Sequence, residues 1–294
     1  MESAATNSPP PFWRTLLVLG RVSNLPTVWS NCAAGWLLGG GGELRTLLLL
    51  CLGATLYYVG GMYLNDACDA EFDRQHRQER PIPSGAISVS SVYALGFGGL
   101  IAGQVIFLLL GKTIAIFGLI LGLCILLYDV VHKFTIISPV LMAFCRMFLF
   151  LAAAAAGDFG INGLAVWSAV VLACYIIGLS YIAKQESSLG LLRFWPSLFM
   201  AAPVVLAYIV NGPDYRLAGL WFSALLVGWV IWCLRSTFWT ATAERNIGQT
   251  VSGLLAGIVL VDVLAIAGGS PVMTLVFLLL FGAALVFQKF VPAT

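Results

Sequence analysis

The sequence predicts an all-α, polytopic transmembrane bundle of nine to ten helices, and three observations carry that expectation. Of the 294 residues, 60% are hydrophobic and only 10% are charged, with a mean hydropathy of +0.97. A water-soluble domain carries about 25% charged residues. Apolar runs of about 20 residues recur along the chain, each long enough to cross a hydrocarbon core of about 30 Å. The alternating segments of a membrane barrel are missing, and lipid then leaves helices as the way to pair backbone amides.

Residues 1–12, with Pro9-Pro10-Pro11, read as a disordered tail that lacks the charged start and cleavage site of a secretory signal. Residues 13–294 read as a single transmembrane domain. Its expected spans are 16–41, 46–65, 89–110, 112–131, 137–156, 163–184, 193–211, 216–235, 250–268 and 272–291. The first is interrupted by Arg21 and Asn24-Leu25-Pro26, so a short entry helix precedes the crossing proper. The second is almost uncharged and runs straight into the most charged stretch of the chain, 63–85. The fifth holds Arg146 and the Ala152–Ala156 run, whose small residues suit close helix packing in lipid. The sixth ends at Lys184, and the ninth holds Asp262. Loss of one span between 193 and 291 leaves nine.

If all ten spans cross, Arg14, Arg21, Arg74, Arg77, Arg80, Lys133, Lys184, Arg193, Arg235, Arg245 and Lys289 share the side of the N-terminus. Only Arg45, Lys112 and Arg216 fall opposite. Basic residues concentrate in cytoplasmic loops, so both termini are expected in the cytoplasm, in an inner or plasma membrane. The net charge of +2 carries no nucleic-acid signal. The seven cysteines are odd in number, mostly inside spans and without a CxxC pair. They read as small buried apolar residues and not as a disulfide framework.

The stretch 63–85 reads YLNDACDAEFDRQHRQERPIPSG. Asp66, Asp69 and Asp73 stand at i, i+3 and i+7, which places them on one helix face, with Asn65 beside them. Carboxylates this close repel one another unless a cation lies between them. Hard carboxylate oxygen ligands suit Mg²⁺, which completes its octahedron with water and phosphate oxygens. Arg74, Arg77 and Arg80 follow, and Arg matches phosphate geometry with two parallel donors. Acids for a metal beside arginines for the anion it bridges describe a diphosphate site. A solvated cytoplasmic loop explains the arginines alone but not three acids on one stripe at a membrane surface.

Asn65-Asp66-x-x-Asp69-x-x-x-Asp73, followed by Arg80-Pro81-Ile82-Pro83-Ser84-Gly85, resembles the first aspartate-rich motif of the UbiA-type intramembrane prenyltransferases, relatives of 4-hydroxybenzoate polyprenyltransferase. Arg21-Val-Ser-Asn24-Leu-Pro26-Thr27, with Asn31 one turn on, is similar to that family's first-helix signature. His132-Lys133-Phe-Thr135, after Tyr128, stands where the family shows Lys-Arg-x-Thr. The likeness runs from residue 21 to about 190. It implies a helical bundle around a central cavity, in which Mg²⁺ and basic groups ionise an isoprenyl diphosphate and an acceptor is alkylated in the membrane. Asp66, Asp69 and Asp73 would then be catalytic and metal-holding. Asn65, Arg21, Asn24, Arg77, Arg80, His132, Lys133 and Lys184 would hold diphosphate. His132 either donates to a phosphate oxygen or caps the fourth span, and Tyr128 is equally at home as an interfacial tyrosine.

The second acidic motif departs from the family. In Ser180 to Gly190 only Glu186 stands at an acidic position, with Leu179 and Gly190 at the outer two and Lys184 in their midst. The expectation is one firmly held Mg²⁺ and a second that is weak or absent, with Glu186 as its ligand. Arg146 and Asp262 either pair with each other or leave Asp262 lining the acceptor chamber. Capture of the cation within its own chain would instead make a terpene cyclase. Failing catalysis, the chain is an inactive homologue or a transporter. A transporter predicts repeated halves, which the sequence lacks. A CDP-alcohol phosphotransferase requires Asp-Gly where Asp69-Ala70 stands.

Overall fold

The computed structural model describes residues 11–132, 135–185, 194–239 and 246–293. These form twelve α-helices and no strand: α1 (Phe12–Leu19), α2 (Leu25–Leu38), α3 (Leu44–Cys68), α4 (Ala70–His76), α5 (Val89–Leu110), α6 (Lys112–Val131), α7 (Ser138–Ala155), α8 (Gly163–Lys184), α9 (Ala202–Val210), α10 (Pro213–Phe238), α11 (Ile247–Ala265) and α12 (Pro271–Phe287). Over their described residues all ten expected segments are largely helical, the seventh as a 3-10 stretch (Trp195–Ala201) running into α9. The count exceeds nine to ten for two reasons. The first span is two helices, and the charged stretch adds the short α4.

Seven helices (α3, α5, α6, α7, α8, α10 and α11) are long and apolar enough to cross a membrane, while α12 and the segment Trp195–Val210 are shorter apolar helices. The outer surface bears Leu48, Ile101, Leu109, Leu119, Ile209 and Leu220, each more than half exposed. Burial inside the bundle cannot account for such side chains, but lipid can. The chain is a polytopic membrane protein.

α2 and α7 form the spine. They pack on each other, α3 and α6 flank them on one side, and α8 and α11 flank them on the other. One apolar cluster, with Leu50, Tyr57, Leu64, Phe107 and Leu149, fills the first half of the bundle. A larger one, with Leu172, Tyr175, Leu226, Leu254 and Ile258, fills the second. The turn from α2 into α3 uses Gly40, Gly41 and Gly42, all at positive φ, where a side chain would be strained. α3 and α5 touch backbone to backbone. A methyl on Gly60 would lie 2.8 Å from the Gly96 carbonyl oxygen, and one on Gly99 would lie 3.1 Å from the Gly60 Cα. Small residues permit that approach where the hydrophobic effect no longer drives helices together. It holds the acid-bearing end of α3 in place.

Candidate functional site

The acidic stripe lies where α3 leaves the bundle. Asp69 is both the last cap of α3 and the first of α4. The i to i+4 amide bonds continue across it, Asp69 to Asn65 at 3.0 Å and Asp73 to Asp69 at 2.9 Å, so the three aspartates keep nearly helical spacing. Beyond α4 the chain turns back through Arg80-Pro81-Ile82-Pro83-Ser84-Gly85, closed by bonds from Ser84 to Arg80 and from Ala86 to Pro81. Buried Ile82 anchors that loop in a small apolar cluster with Leu19, Ala67, Ala70 and Val92. Arg80 is thereby returned to the stripe. It donates to Asp73 at 2.9 Å and to Asp66 at 3.5 Å.

The break between α1 and α2 has a matching use. Arg21 sits in the left-handed region at φ 42°, unusual for any residue but glycine. There it swings its guanidinium onto Asp66 at 3.1 Å. Asp66 therefore meets both arginines and Asp73 shares Arg80 with it, although both carboxylates are buried. Asn24 is turned elsewhere. Its amide nitrogen donates to the Ala293 carbonyl at 2.9 Å and to the Tyr58 hydroxyl at 3.2 Å, tying the C-terminal end to α2 and α3. Arg77 is exposed at the end of α4 and joins none of these ion pairs. Lys184 reaches the segment joining α6 and α7, donating to the Thr135 carbonyl at 2.5 Å and to Ser138 at 3.2 Å. Lys133, Glu186 and Arg193 lie outside the described residues, as does most of the expected tail.

His132 caps α6 and stacks on Tyr128 with ring centres 5.1 Å apart. Its Nδ1 is 3.2 Å from the Tyr128 and Asp129 carbonyl oxygens, and its Nε2 is 3.4 Å from Asp69. Carbonyls and carboxylates only accept, so both ring nitrogens are satisfied only when both carry hydrogen. Burial works to lower the imidazole pKa. The Asp69 hydrogen bond and charge, aided by the two carbonyls, outweigh it and raise the value above the ordinary one. A raised folded value means that the pair's stabilisation is complete below about pH 6.5 and fades as pH climbs through the folded pKa. The melting temperature of His132→Gln should therefore lie furthest below wild type near pH 6 and approach it near pH 9. A constant gap would mean that His132 is uncharged.

Sequence reasoning missed Asp129. It is buried at the end of α6, where Asn65 Nδ2 donates to its Oδ1 at 3.2 Å. The signal was an acid one residue after Tyr128, hidden inside an apolar run. Deeper in the bundle, Arg146 and Asp262 are joined through Asn31. Arg146 donates to Asn31 Oδ1 at 2.8 Å, while Asn31 Nδ2 and Ser30 Oγ donate to Asp262 at 2.7 and 2.6 Å. Arg146 also donates to the Thr27 carbonyl and hydroxyl and lies over the Tyr58 ring. Asp262 lines a cavity of about 20 Å³ with Ser168 and Tyr215, space for one water.

Among the described residues, no three His, Cys, Asp or Glu side chains converge to hold a metal. Arg21, Arg80 and His132 pair with Asp66, Asp73 and Asp69 there. The donor chemistry nonetheless fits Mg²⁺. It is all hard oxygen, and it includes a buried Asp129 oxygen without a hydrogen-bond partner.

The chain is 35% identical over 86 residues to the digeranylgeranylglyceryl phosphate synthase of Saccharolobus solfataricus, which is 29% of this chain and 30% of that one. It is 33% identical over 111 residues to the 4-hydroxybenzoate octaprenyltransferase of Paracidovorax citrulli, 35% of this chain and 37% of that one. The matches thus span only about a third of the relatives' length. The structure of a UbiA homolog from Archaeoglobus fulgidus bound to GPP and Mg²⁺ superposes with a TM-score of 0.53 at 15% identity, over 94% of this chain and 97% of that one. The profile of the UbiA prenyltransferase family matches residues 24–292, from the first-helix signature through the acidic stripe to α12 and just beyond. By that match, which takes in nearly every described helix, the chain belongs to the UbiA prenyltransferase family.

Proposed function

We propose that the protein is a Mg²⁺-dependent intramembrane prenyltransferase that moves an isoprenyl group from an isoprenyl diphosphate to a small-molecule or lipid acceptor. The observation that carries this reading is the gathering of Asp66, Asp69 and Asp73 with Arg21, Arg80 and His132 at one end of an apolar bundle. The Mg²⁺ and diphosphate of the Archaeoglobus neighbour and the prenyl-transferring names of the relatives support it.

Arg21 and Arg80 bind diphosphate oxygens with paired donors and balance the charge that grows as the bond from C1 to oxygen breaks. His132, doubly protonated, adds a third donor on the same face. Asp66, Asp69 and Asp73 would hold Mg²⁺, which would supply further neutralisation of the leaving diphosphate. The electron pair departs with the diphosphate, the acceptor's nucleophilic atom bonds to C1, and the acceptor loses its proton. The surrounding helices keep water from the allylic cation. The acid-bearing end of α3 faces the cytoplasm with both termini in this reading, which the excess of basic residues on that side supports.

Purified protein incubated with labelled geranyl, farnesyl or geranylgeranyl diphosphate and a membrane extract tests this. A labelled lipid product that forms with Mg²⁺ and vanishes with a chelator is expected. Product formed without extract would indicate internal cyclisation, and release of label in no arm would remove the enzyme reading.

A further inference from the structure

We infer that Asp129 is a fourth carboxylate of the cation site, a ligand contributed by α6 that takes up the charge the thinned second acidic motif no longer provides. This rests on the prenyltransferase reading and names a residue outside both acidic motifs.

The first ground is geometric. Asp129 stands in the last turn of α6 and is only 6% exposed. Its Oδ1 accepts from Asn65 Nδ2, the residue adjacent to Asp66, so its carboxyl faces the same end of α3 as the stripe. Its Oδ2 is buried without a hydrogen-bond partner. A carboxylate in that position faces a desolvation cost of several kcal/mol per ion that one amide donor does not offset.

The second ground is the pairing of charge. Arg21 is taken by Asp66, Arg80 by Asp73 and Asp66, and His132 by Asp69. Among the described residues, Asp129 alone of these four acids has no ion pair. The charges that act on it are those of His132, Asp69 and Arg21, all members of the candidate site. A divalent cation is the group that satisfies an oxygen ligand so placed, since hard oxygen donors on adjoining helices suit Mg²⁺ or Mn²⁺.

The competing role is structural: a carboxyl that only holds Asn65 in place. Asparagine separates the two, because its Oδ1 still accepts from Asn65 while the charge is lost. The test is Mn²⁺ binding to the full-length protein in detergent with inorganic pyrophosphate, followed by electron paramagnetic resonance. Asp129→Asn is expected to weaken Mn²⁺ by about tenfold or more with an unchanged melting temperature. Unchanged affinity overturns the inference. Should Asp129→Asn melt lower, the Mn²⁺-induced rise in melting temperature decides. A rise kept by Asp129→Glu and lost by Asp129→Asn supports a ligand, and any other pattern overturns it. Binding that Asp69→Asn loses and Asp129→Asn keeps defeats this inference alone. Wild-type protein that binds no Mn²⁺ even with pyrophosphate defeats the prenyltransferase reading with it.

Discussion

Asparagine in place of Asp66 is expected to lower turnover by more than about a hundredfold, the upper end of the loss seen when a metal site's supporting residues are replaced. Two effects combine. The site loses one of the three carboxylates proposed to hold Mg²⁺ beside the diphosphate. Arg21 and Arg80 also lose the anion on which both are now aimed, at 3.1 and 3.5 Å. Asparagine is the informative choice because its carbonyl still accepts a hydrogen bond from Arg21. The fold should survive, so a melting curve close to wild type with product formation near background is the predicted pair of results. Turnover within tenfold of wild type would place Asp66 outside the chemistry.

Arg146→Met is expected to be the most destabilising single change, by about 3–5 kcal/mol, the cost of removing one partner from a buried charged network. Arg146 donates to Asn31 and to both oxygens of Thr27, and Asn31 in turn donates to Asp262. Without it, no cation remains among the groups that act on Asp262, which is 1% exposed. Methionine fills much of the same volume, so the loss is of charge and hydrogen bonds more than of packing. The double variant Arg146→Met with Asp262→Asn should recover part of the loss, because no uncompensated anion remains. Thermal melting in one detergent measures all three variants. A single-variant loss below about 1 kcal/mol, or no recovery in the double, would show that Asp262 is neutral without Arg146.

Much of this protein is legible along the chain because lipid makes local properties decisive. Ten apolar segments became helices where hydropathy placed them, since a backbone in hydrocarbon has few other ways to pair its amides. The spacing of Asp66, Asp69 and Asp73 survived the break at Asp69 because the amide bonds run on across it. The family likeness of that stripe was equally local. Two features of the start were partly readable: Arg21 and Asn24-Leu25-Pro26 announced a break, but not the left-handed turn that aims Arg21.

What the sequence alone determined is the solvent, the all-helical architecture, the acidic stripe and its family likeness, all set by neighbours within a few turns. Only the tertiary structure decided which partners those groups meet. Arg21 reaches Asp66 across 45 positions and Asn65 reaches Asp129 across 64. Asn31 joins two charges that hydropathy marked merely as out of place, and Asn24 is spent on the C-terminal end. Such contacts depend on how helices cross and how closely Gly60 and Gly96 let them approach, which periodicity within one helix does not encode.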